Sequence, residues 1–550
     1  MIVARARRTL SAKAREWAKS QGLELPATLA VAAAPAHASA DLALPWALAA
    51  AKSAKKNPLT LASSLAEALS TLAEVESAQA APPGFVNVRL RASVLAANLK
   101  AITLDPAGYG REEGGVKTRV LVEFVSANPT GPLHMASGRG ATLGDSLVRV
   151  MRRLGRDARA EYYVNDGGDR VLLLGESILA RYRQSKGEDA KVPEKGYQGE
   201  YLIDLAKTAP AECASWDAAR WGRYAMDLLL ASHKDDMKVF DAHFDRWYLE
   251  SELFASGAVD KTLEFLKSRG MVFEKDGAVW LGTAGAEGST DDKDRVLVKS
   301  TGKPTYFLPD IAYHKDKYDR GFERVIDVFG ADHHGYVPRM KAAIAALGKP
   351  ADSYHAIVHQ LIHLYRGQEA VKMSKRAGTF ISLREIVDEV GKDACRFFFA
   401  LRTPDSHLNF DLELAKKQSN ENPVYYVQYV HARIVSLFRK AAEAGILAPG
   451  QDLPMPNASA YAAAEERALL LKLAWMPEVL LEVERLLSPH PLANYLMELA
   501  GAFHSFYEKC PVVAAGDPAL SRARLLLCAG VRDAIREGLG LLGVSAPASM

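Results

Sequence analysis

The stretch Val120-Leu-Val-Glu-Phe-Val-Ser126-Ala-Asn128-Pro-Thr-Gly-Pro132-Leu-His134-Met-Ala136-Ser137-Gly138-Arg-Gly140 decides the fold. It begins with a β-rich apolar run, Val120 to Val125, then breaks into a turn at Asn128 to Pro132. A long helical pattern starts near Gly138, and Glu161-Tyr-Tyr-Val164 reads as a second strand. Strand, loop, helix and strand in that order make a parallel βαβ unit. Further units follow: a strand over Arg324 to Phe329, a helix over Tyr336 to Leu347 and a strand over Ala356 to Leu364. A mainly helical insertion, roughly Gly175 to Arg269, lies between them. The expected core is therefore an α/β domain with a Rossmann-like parallel sheet, spanning residues 116–410.

Outward from this domain the patterning changes on both sides. The Ala-rich residues 1–108 carry helical patterns at Leu10 to Trp17 and Leu59 to Leu72, with Pro58 suited to the start of the second. Gly84 to Leu90 alternates like a strand, so a small α+β domain is expected, followed by a linker at Asp105 to Gly115. After about Asp411 strand signals vanish. Amphipathic helices are expected over Leu412 to Ala444, Ala460 to Leu487, Leu492 to Lys509 and Leu520 to Leu542, with Pro477 kinking or splitting the second. Residues 411–550 thus form an all-α domain.

Composition sets few further limits. A chain of 550 residues exceeds one ordinary core and suits about three or four domains. A formal net charge of +3 neither demands nor excludes a nucleic-acid partner, because a basic face can hide inside a balanced total. Cys213, Cys395, Cys510 and Cys528 are far apart, with no Cys-x-x-Cys pair, so no zinc site is expected and the compartment is a reducing, cytoplasmic one. The best apolar run, Leu42 to Ala51, is short and broken by Pro45, so no membrane span is expected. The Arg- and Ala-rich start, Met1 to Ser20, fits a first helix better than a cleaved leader because of Glu16 and Trp17.

Two segments carry chemistry. The first, Asn128 to Gly140, leads from a strand into a helix N-terminus, where free N–H groups and the helix dipole favour phosphate. There His134 can donate to a phosphoryl oxygen, and small residues let the backbone approach a nucleotide. The second, Val371-Lys372-Met373-Ser374-Lys375-Arg376-Ala-Gly378, sets three cations within five positions and follows them with a flexible Gly. Such a loop can close over a triphosphate and neutralise departing pyrophosphate. Singly, either segment is also consistent with a bland turn. As a pair, one after an early strand and one after a late strand, they are far more specific.

The pair resembles the two signatures of class I aminoacyl-tRNA synthetases, the His-Ile-Gly-His motif and the Lys-Met-Ser-Lys-Ser loop. Several blocks narrow the resemblance to arginyl-tRNA synthetases: Val122 to Gly131, Tyr162 to Gly168, Pro304 to His314 and Gly330 to Tyr336. Asn422-Pro-Val-Tyr425-Tyr-Val-Gln-Tyr429-Val-His431-Ala-Arg433 resembles the opening of that family's anticodon-binding domain, and Leu541 to Pro547 its C-terminus. The N-terminal domain is similar at Lys55 to Pro58 and Gly84-Phe85. One departure stands out. The family's first motif ends Gly-His, where this chain has Ala136 and Ser137. The change adds a methyl group and removes an imidazole next to ATP. Loss of one transition-state hydrogen bond lowers a rate by about 100- to 1,000-fold. A tRNA-binding paralogue with weakened catalysis is therefore the alternative to an active synthetase.

The resemblance implies ATP-dependent activation of L-arginine and its transfer to the 3′-terminal ribose of tRNA(Arg). It places His134, Ala136, Gly138, Lys372, Met373, Ser374 and Lys375 around ATP, with His134, Ser137, Lys372 and Lys375 acting in catalysis and Mg²⁺ arriving with the nucleotide. A guanidinium is a planar fork of donors whose natural complement is a carboxylate. Asp310 is the first choice for it, with Tyr306 beside it as the family pattern implies. Ser126 and Asn128 would hold the α-amino and carboxylate groups, Glu123 is an additional anion, and Ser137 borders the arginine site. His333 stands where other members carry a substrate-contacting Gln. Tyr425, Tyr429, His431 and Arg433 are candidates for tRNA contact by stacking on unpaired bases. The family resemblance also implies a monomer.

Overall fold

The computed structural model describes residues 2–27, 29–35, 38–112, 117–282, 293–371, 381–448, 453, 460–513 and 516–550. Five parallel strands form the central sheet: β1 (Arg119–Glu123), β2 (Asp157–Val164), β3 (Arg246–Leu249), β4 (Arg324–Gly330) and β5 (Tyr354–His359), in the order β5-β4-β1-β2-β3. The chain runs outward from β1 through β2 to β3, then returns to lay β4 against the other side of β1. Strand order therefore reverses at β1. In such sheets the crevice beyond the strands' carboxyl ends, at the reversal, is where ligands bind. Helix α1 (Met135–Arg153) connects β1 to β2, and α2 (Phe307–Asp319) precedes β4.

The N-terminal unit is a four-stranded antiparallel sheet backed by helices, including Pro58–Ser70, whose cap Asn57 accepts from Leu59 N at 2.9 Å and Thr60 N at 3.2 Å. The C-terminal unit has long helices at Pro423–Glu443, Ala464–Leu486, His490–Lys509 and Pro518–Leu541. Arg467 bonds Asp41 (2.6 Å) and Arg7 bonds Glu478 (2.8 Å), docking the two units on each other.

Three sequence expectations need correction. Ala356 to Leu364 is two strands, not one: β5 ends at His359, and Ile362–Arg366 belongs to another sheet, paired parallel with Leu408–Asp411. Buried Arg139 explains the break, for its guanidinium donates to the carbonyls of Gln360 (2.8 Å), Thr403 (2.9 Å) and Ser406 (2.8 Å) and draws the chain away. The insertion is mainly helical, as expected, but contributes one strand to the central sheet. Arg246–Leu249 within it is the edge strand β3, too short for its alternation to register. The helix expected from Leu412 breaks after Lys416 and restarts at Pro423, because Asn422 caps the new start by accepting from Val424 N (3.2 Å). Finally, Pro477 does not split its helix. A proline leaves the carbonyl four residues back without its N–H partner. Here that carbonyl is Leu473 O, and the buried Tyr109 hydroxyl donates to it at 3.0 Å. Tyr109 lies in the expected linker, which is thereby pinned to the C-terminal unit.

Candidate active site

Immediately after β1 the backbone takes two left-handed steps, Val125 at φ 68° and Ser126 at φ 39°. Such angles are costly for side chains with a Cβ and persist only where surroundings impose them. The constraints are visible. Ser126 Oγ donates to Glu123 Oε1 (2.8 Å) and accepts from Tyr163 N–H (3.1 Å). Tyr162 Oη accepts from Ala127 N–H at 3.1 Å and lies 3.1 Å from His233 Nδ1. His233 Nε2 is 2.7 Å from the Gly131 carbonyl. A carbonyl only accepts, so Nε2 carries the proton and Nδ1 is left as an acceptor; the single Tyr162 hydroxyl proton faces both Nδ1 and the Ala127 carbonyl, 3.0 Å away. Burial pushes the His233 pKa down, in keeping with this neutral ring. His233 thus clamps the loop carrying Asn128, and a lone histidine inside an amphipathic helix offered no sequence signal for that role.

The loop ends at His134, the cap residue of α1, whose carbonyl accepts from Ser137 N–H (2.9 Å) and Gly138 N–H (3.2 Å). Ser137 is buried and Ala136 half-buried. Gly138 is buried under another helix: a Cβ there would stand 2.6 Å from Leu383 Cδ1 and 3.1 Å from Phe399 Cε2. Helix packing therefore accounts for this glycine, rather than close approach to a nucleotide. His134 bridges antiparallel to Ser382, and Leu383 N–H donates to Leu133 O at 2.8 Å. This joins the first motif to the segment just after the second. Lys372, Met373, Ser374 and Lys375 themselves lie outside the described residues.

Across the crevice, Asp310 sits in the first turn of α2 with only 8% of its surface exposed. The Tyr336 hydroxyl donates to its Oδ2. Desolvation pushes the Asp310 carboxyl up to about 8; the Tyr336 bond opposes this, while Glu123 and Glu250 add repulsion. Tyr306, four residues earlier, is 60% exposed at the mouth, and the Asp310 charge raises its phenol above the usual range. Glu123 faces Lys317 Nζ at 2.5 Å, and the same ammonium reaches Asp327 Oδ1 at 2.9 Å. His333 is exposed and stacks on Phe329 at 5.4 Å. Asp310 thus lies near enough to Glu123 for their charges to repel, Ser126 bonds Glu123, and His333 packs at 6.4 Å against Tyr336, the residue that bonds Asp310. Among the described residues no group of three or more His, Cys, Asp or Glu side chains is arranged to hold a metal ion.

In the C-terminal unit Tyr425 and Tyr429 stack at 6.1 Å, and the Arg433 guanidinium lies over Tyr429 (5.3 Å) and Tyr507 (4.6 Å). His431 does not join them. It is buried, with Nδ1 2.8 Å from the Pro547 carbonyl, so its ring holds the C-terminal tail and faces away from solvent. Tyr507 and His504, stacked on Tyr429 at 6.2 Å, complete the aromatic face.

Three family models match the chain: the arginyl tRNA synthetase N terminal domain over residues 7–90, the class I (R) tRNA synthetase catalytic domain over 220–403 and the DALR anticodon binding domain over 427–550. The arginine–tRNA ligase of Elusimicrobium minutum is 51% identical over 94% of this chain and 94% of its own length. The chain belongs to the arginyl-tRNA synthetases. It is an arginine–tRNA ligase with a class I catalytic domain. The Desulforudis audaxviator arginine–tRNA ligase is 48% identical, covering 93% of this chain and 91% of its own. The solved Thermus thermophilus arginyl-tRNA synthetase superposes with a TM-score of 0.79 at 24% identity, over 99% of this chain and 100% of that one, which bears on the fold. No helix among the described residues is long and apolar enough to cross a membrane.

Proposed function

We propose that arginine lies in the crevice beyond β1 and β4, its guanidinium on Asp310 and Tyr306 and its α-amino and carboxylate groups on Ser126 and Asn128. ATP lies alongside, over the start of α1, with His134 on its phosphates, Ala136 lining its path and Ser137 between the two substrates. Lys372, Met373, Ser374 and Lys375 approach from the second motif and neutralise pyrophosphate as it leaves. The arginine carboxylate attacks the α-phosphorus, and the ribose hydroxyl of the tRNA 3′ end then attacks the adenylate. Little covalent work falls to the protein; positioning and charge stabilisation do most of it. Glu123 acts behind this pocket, since its charge is met by Lys317. His333 contributes at the rim. Mg²⁺ comes in on the triphosphate.

The observation that carries this reading is a desolvated carboxylate, Asp310, near enough to Glu123, the last residue of β1, for their charges to repel. A bidentate carboxylate also accounts for selection against lysine, which cannot fill both lobes. Tyr425, Tyr429 and Arg433 offer tRNA(Arg) a stacking face. The same reading divides the chain into an N-terminal tRNA-binding domain at 1–108, a catalytic domain at 116–410 and an anticodon-binding domain at 411–550, and takes the enzyme as a cytoplasmic monomer. The test is charging of tRNA with radiolabelled arginine by wild-type enzyme and by Asp310→Ala. The variant is expected to lose arginine use while keeping tRNA affinity; normal arginine affinity in it refutes the assignment.

A further inference from the structure

Helix α2 places Asp310, His314 and Lys317 on one face at spacings of four and three residues, all three buried. Lys317 has no exposed surface. An ammonium in that position costs several kcal/mol of desolvation unless it is fully paired. Its partners are Glu123 Oε2 at 2.5 Å and Asp327 Oδ1 at 2.9 Å. Asp327 Oδ2 is met in turn by His314 Nε2 at 2.8 Å. Nothing in the two-step reaction requires a buried lysine behind the substrate pocket, so its presence there calls for a role.

That role follows from hydrogen counting at Ser126. A serine hydroxyl has one proton and two acceptor sites. The Tyr163 N–H occupies one acceptor site. The proton is directed at Glu123 Oε1, because an ionised carboxylate only accepts. Lys317 donates to the other oxygen of Glu123, so the carboxylate is held at both ends and cannot swing. The one valence left on Ser126 is a lone pair. A lone pair recognises a donor, and the donor at this end of arginine is the α-ammonium. The left-handed backbone at Val125 and Ser126 fits the same account: the turn is held in a costly conformation so that this oxygen is presented in one direction.

We propose that Lys317 is a positioning residue which, through Glu123, locks Ser126 as an acceptor for the α-ammonium of the amino-acid substrate. The inference rests on the proposed arginine pocket and deepens it. It moves Glu123 from a direct anion of the pocket to a relay, and it makes the enzyme's preference for an α-amino acid depend on a lysine that never touches the ligand. A ligand with the guanidinium and the carboxylate but no amine, 5-guanidinopentanoate, is blind to the relay.

The experiment is calorimetric binding of arginine and of 5-guanidinopentanoate to the full-length enzyme and its variants, reading the ratio of the two affinities. Ser126→Ala sets the reference loss. Lys317→Met is expected to lower the ratio about tenfold or more, as for removal of a hydrogen bond to a charged group. The double variant Lys317→Met/Ser126→Ala is expected to show no further fall. Glu123→Gln preserves size and serves where Lys317→Met does not fold. Its amide oxygen must face Lys317, so its NH₂ faces Ser126 and turns the serine proton outward, and the ratio falls again. A fall for both ligands in equal proportion means that Lys317 is only structural and overturns the relay, as does an unchanged ratio in Glu123→Gln. The underlying pocket is checked separately: Asp310→Asn must weaken both ligands, and if it weakens neither, the pocket reading fails rather than the relay.

Discussion

The Asp310 carboxyl is held up to about 8, mainly by desolvation. A guanidinium stays protonated at any pH of interest and pairs with the ionised carboxylate. Arginine binding should therefore expel a proton below pH 8, and affinity should rise with pH. For a single site the apparent Kd scales as 1 + 10^(pKa − pH). That factor falls from about 33 at pH 6.5 to about 1.3 at pH 8.5, a gain of about 25-fold. At pH 7 about 0.9 proton should be released per arginine bound. Titration calorimetry in two buffers of different ionisation enthalpy reads that proton directly. 5-Guanidinopentanoate, measured alongside, removes the titration of arginine's own α-amine from the comparison. Asp310→Asn should bind weakly and show no pH slope. A flat affinity from pH 6.5 to 8.5 with no buffer-dependent heat would refute the argument, because it would mean that the carboxyl is already ionised when empty or does not face the ligand.

Other consequences are open to direct measurement. Tyr336→Phe removes the donor that favours the charged Asp310, so the midpoint of the arginine pH profile should move to higher pH while tRNA affinity holds; an unchanged midpoint would separate Tyr336 from the pocket charge. Tyr109→Phe should destabilise the protein by about 1–3 kcal/mol by leaving the Leu473 carbonyl unpaired. Pro477→Ala should restore much of that loss in thermal melts, because an alanine at that position supplies the missing N–H; no restoration would sink the pairing argument. Arg396 is fully buried and donates to the carbonyls of Leu542 (2.6 Å) and Phe240 (3.1 Å) as well as to Asp145. Removing one partner of such a pair costs about 3–5 kcal/mol, so Arg396→Met should lower the unfolding midpoint markedly. Arg433→Ala should weaken tRNA binding and flatten its salt dependence, whereas His431→Ala should act on stability alone.

The unit β1–loop–α1–β2 was legible because each piece has a local signature: an apolar run, Pro and Gly in the turn, helical periodicity and a second apolar run. Asp310 was legible from chemistry, as a carboxylate in a block resembling arginine enzymes. Lys317 belongs to no motif, although Asp310, His314 and Lys317 at helical spacing mark a charged face on a helix that must be buried. A charge at such a place signals a partner. His431 was misjudged because periodicity identifies the faces of a helix without saying which face meets the core. Whether the helix continues through Pro477 was not legible, because that depends on whether a distant donor serves the freed carbonyl, and that donor, Tyr109, is 368 positions away in the chain (477 − 109).

The sequence by itself determined the α/β class, the order of the domains, the two nucleotide motifs and the candidate carboxylate, because those depend on interactions between near neighbours along the chain. Only the tertiary structure decided where the sheet reverses, which of the carboxylates facing the pocket is left without a cation and which way the Ser126 proton points. These depend on groups that meet across nearly two hundred residues, as Lys317 meets Glu123, and whose charge is set by the water excluded when they do.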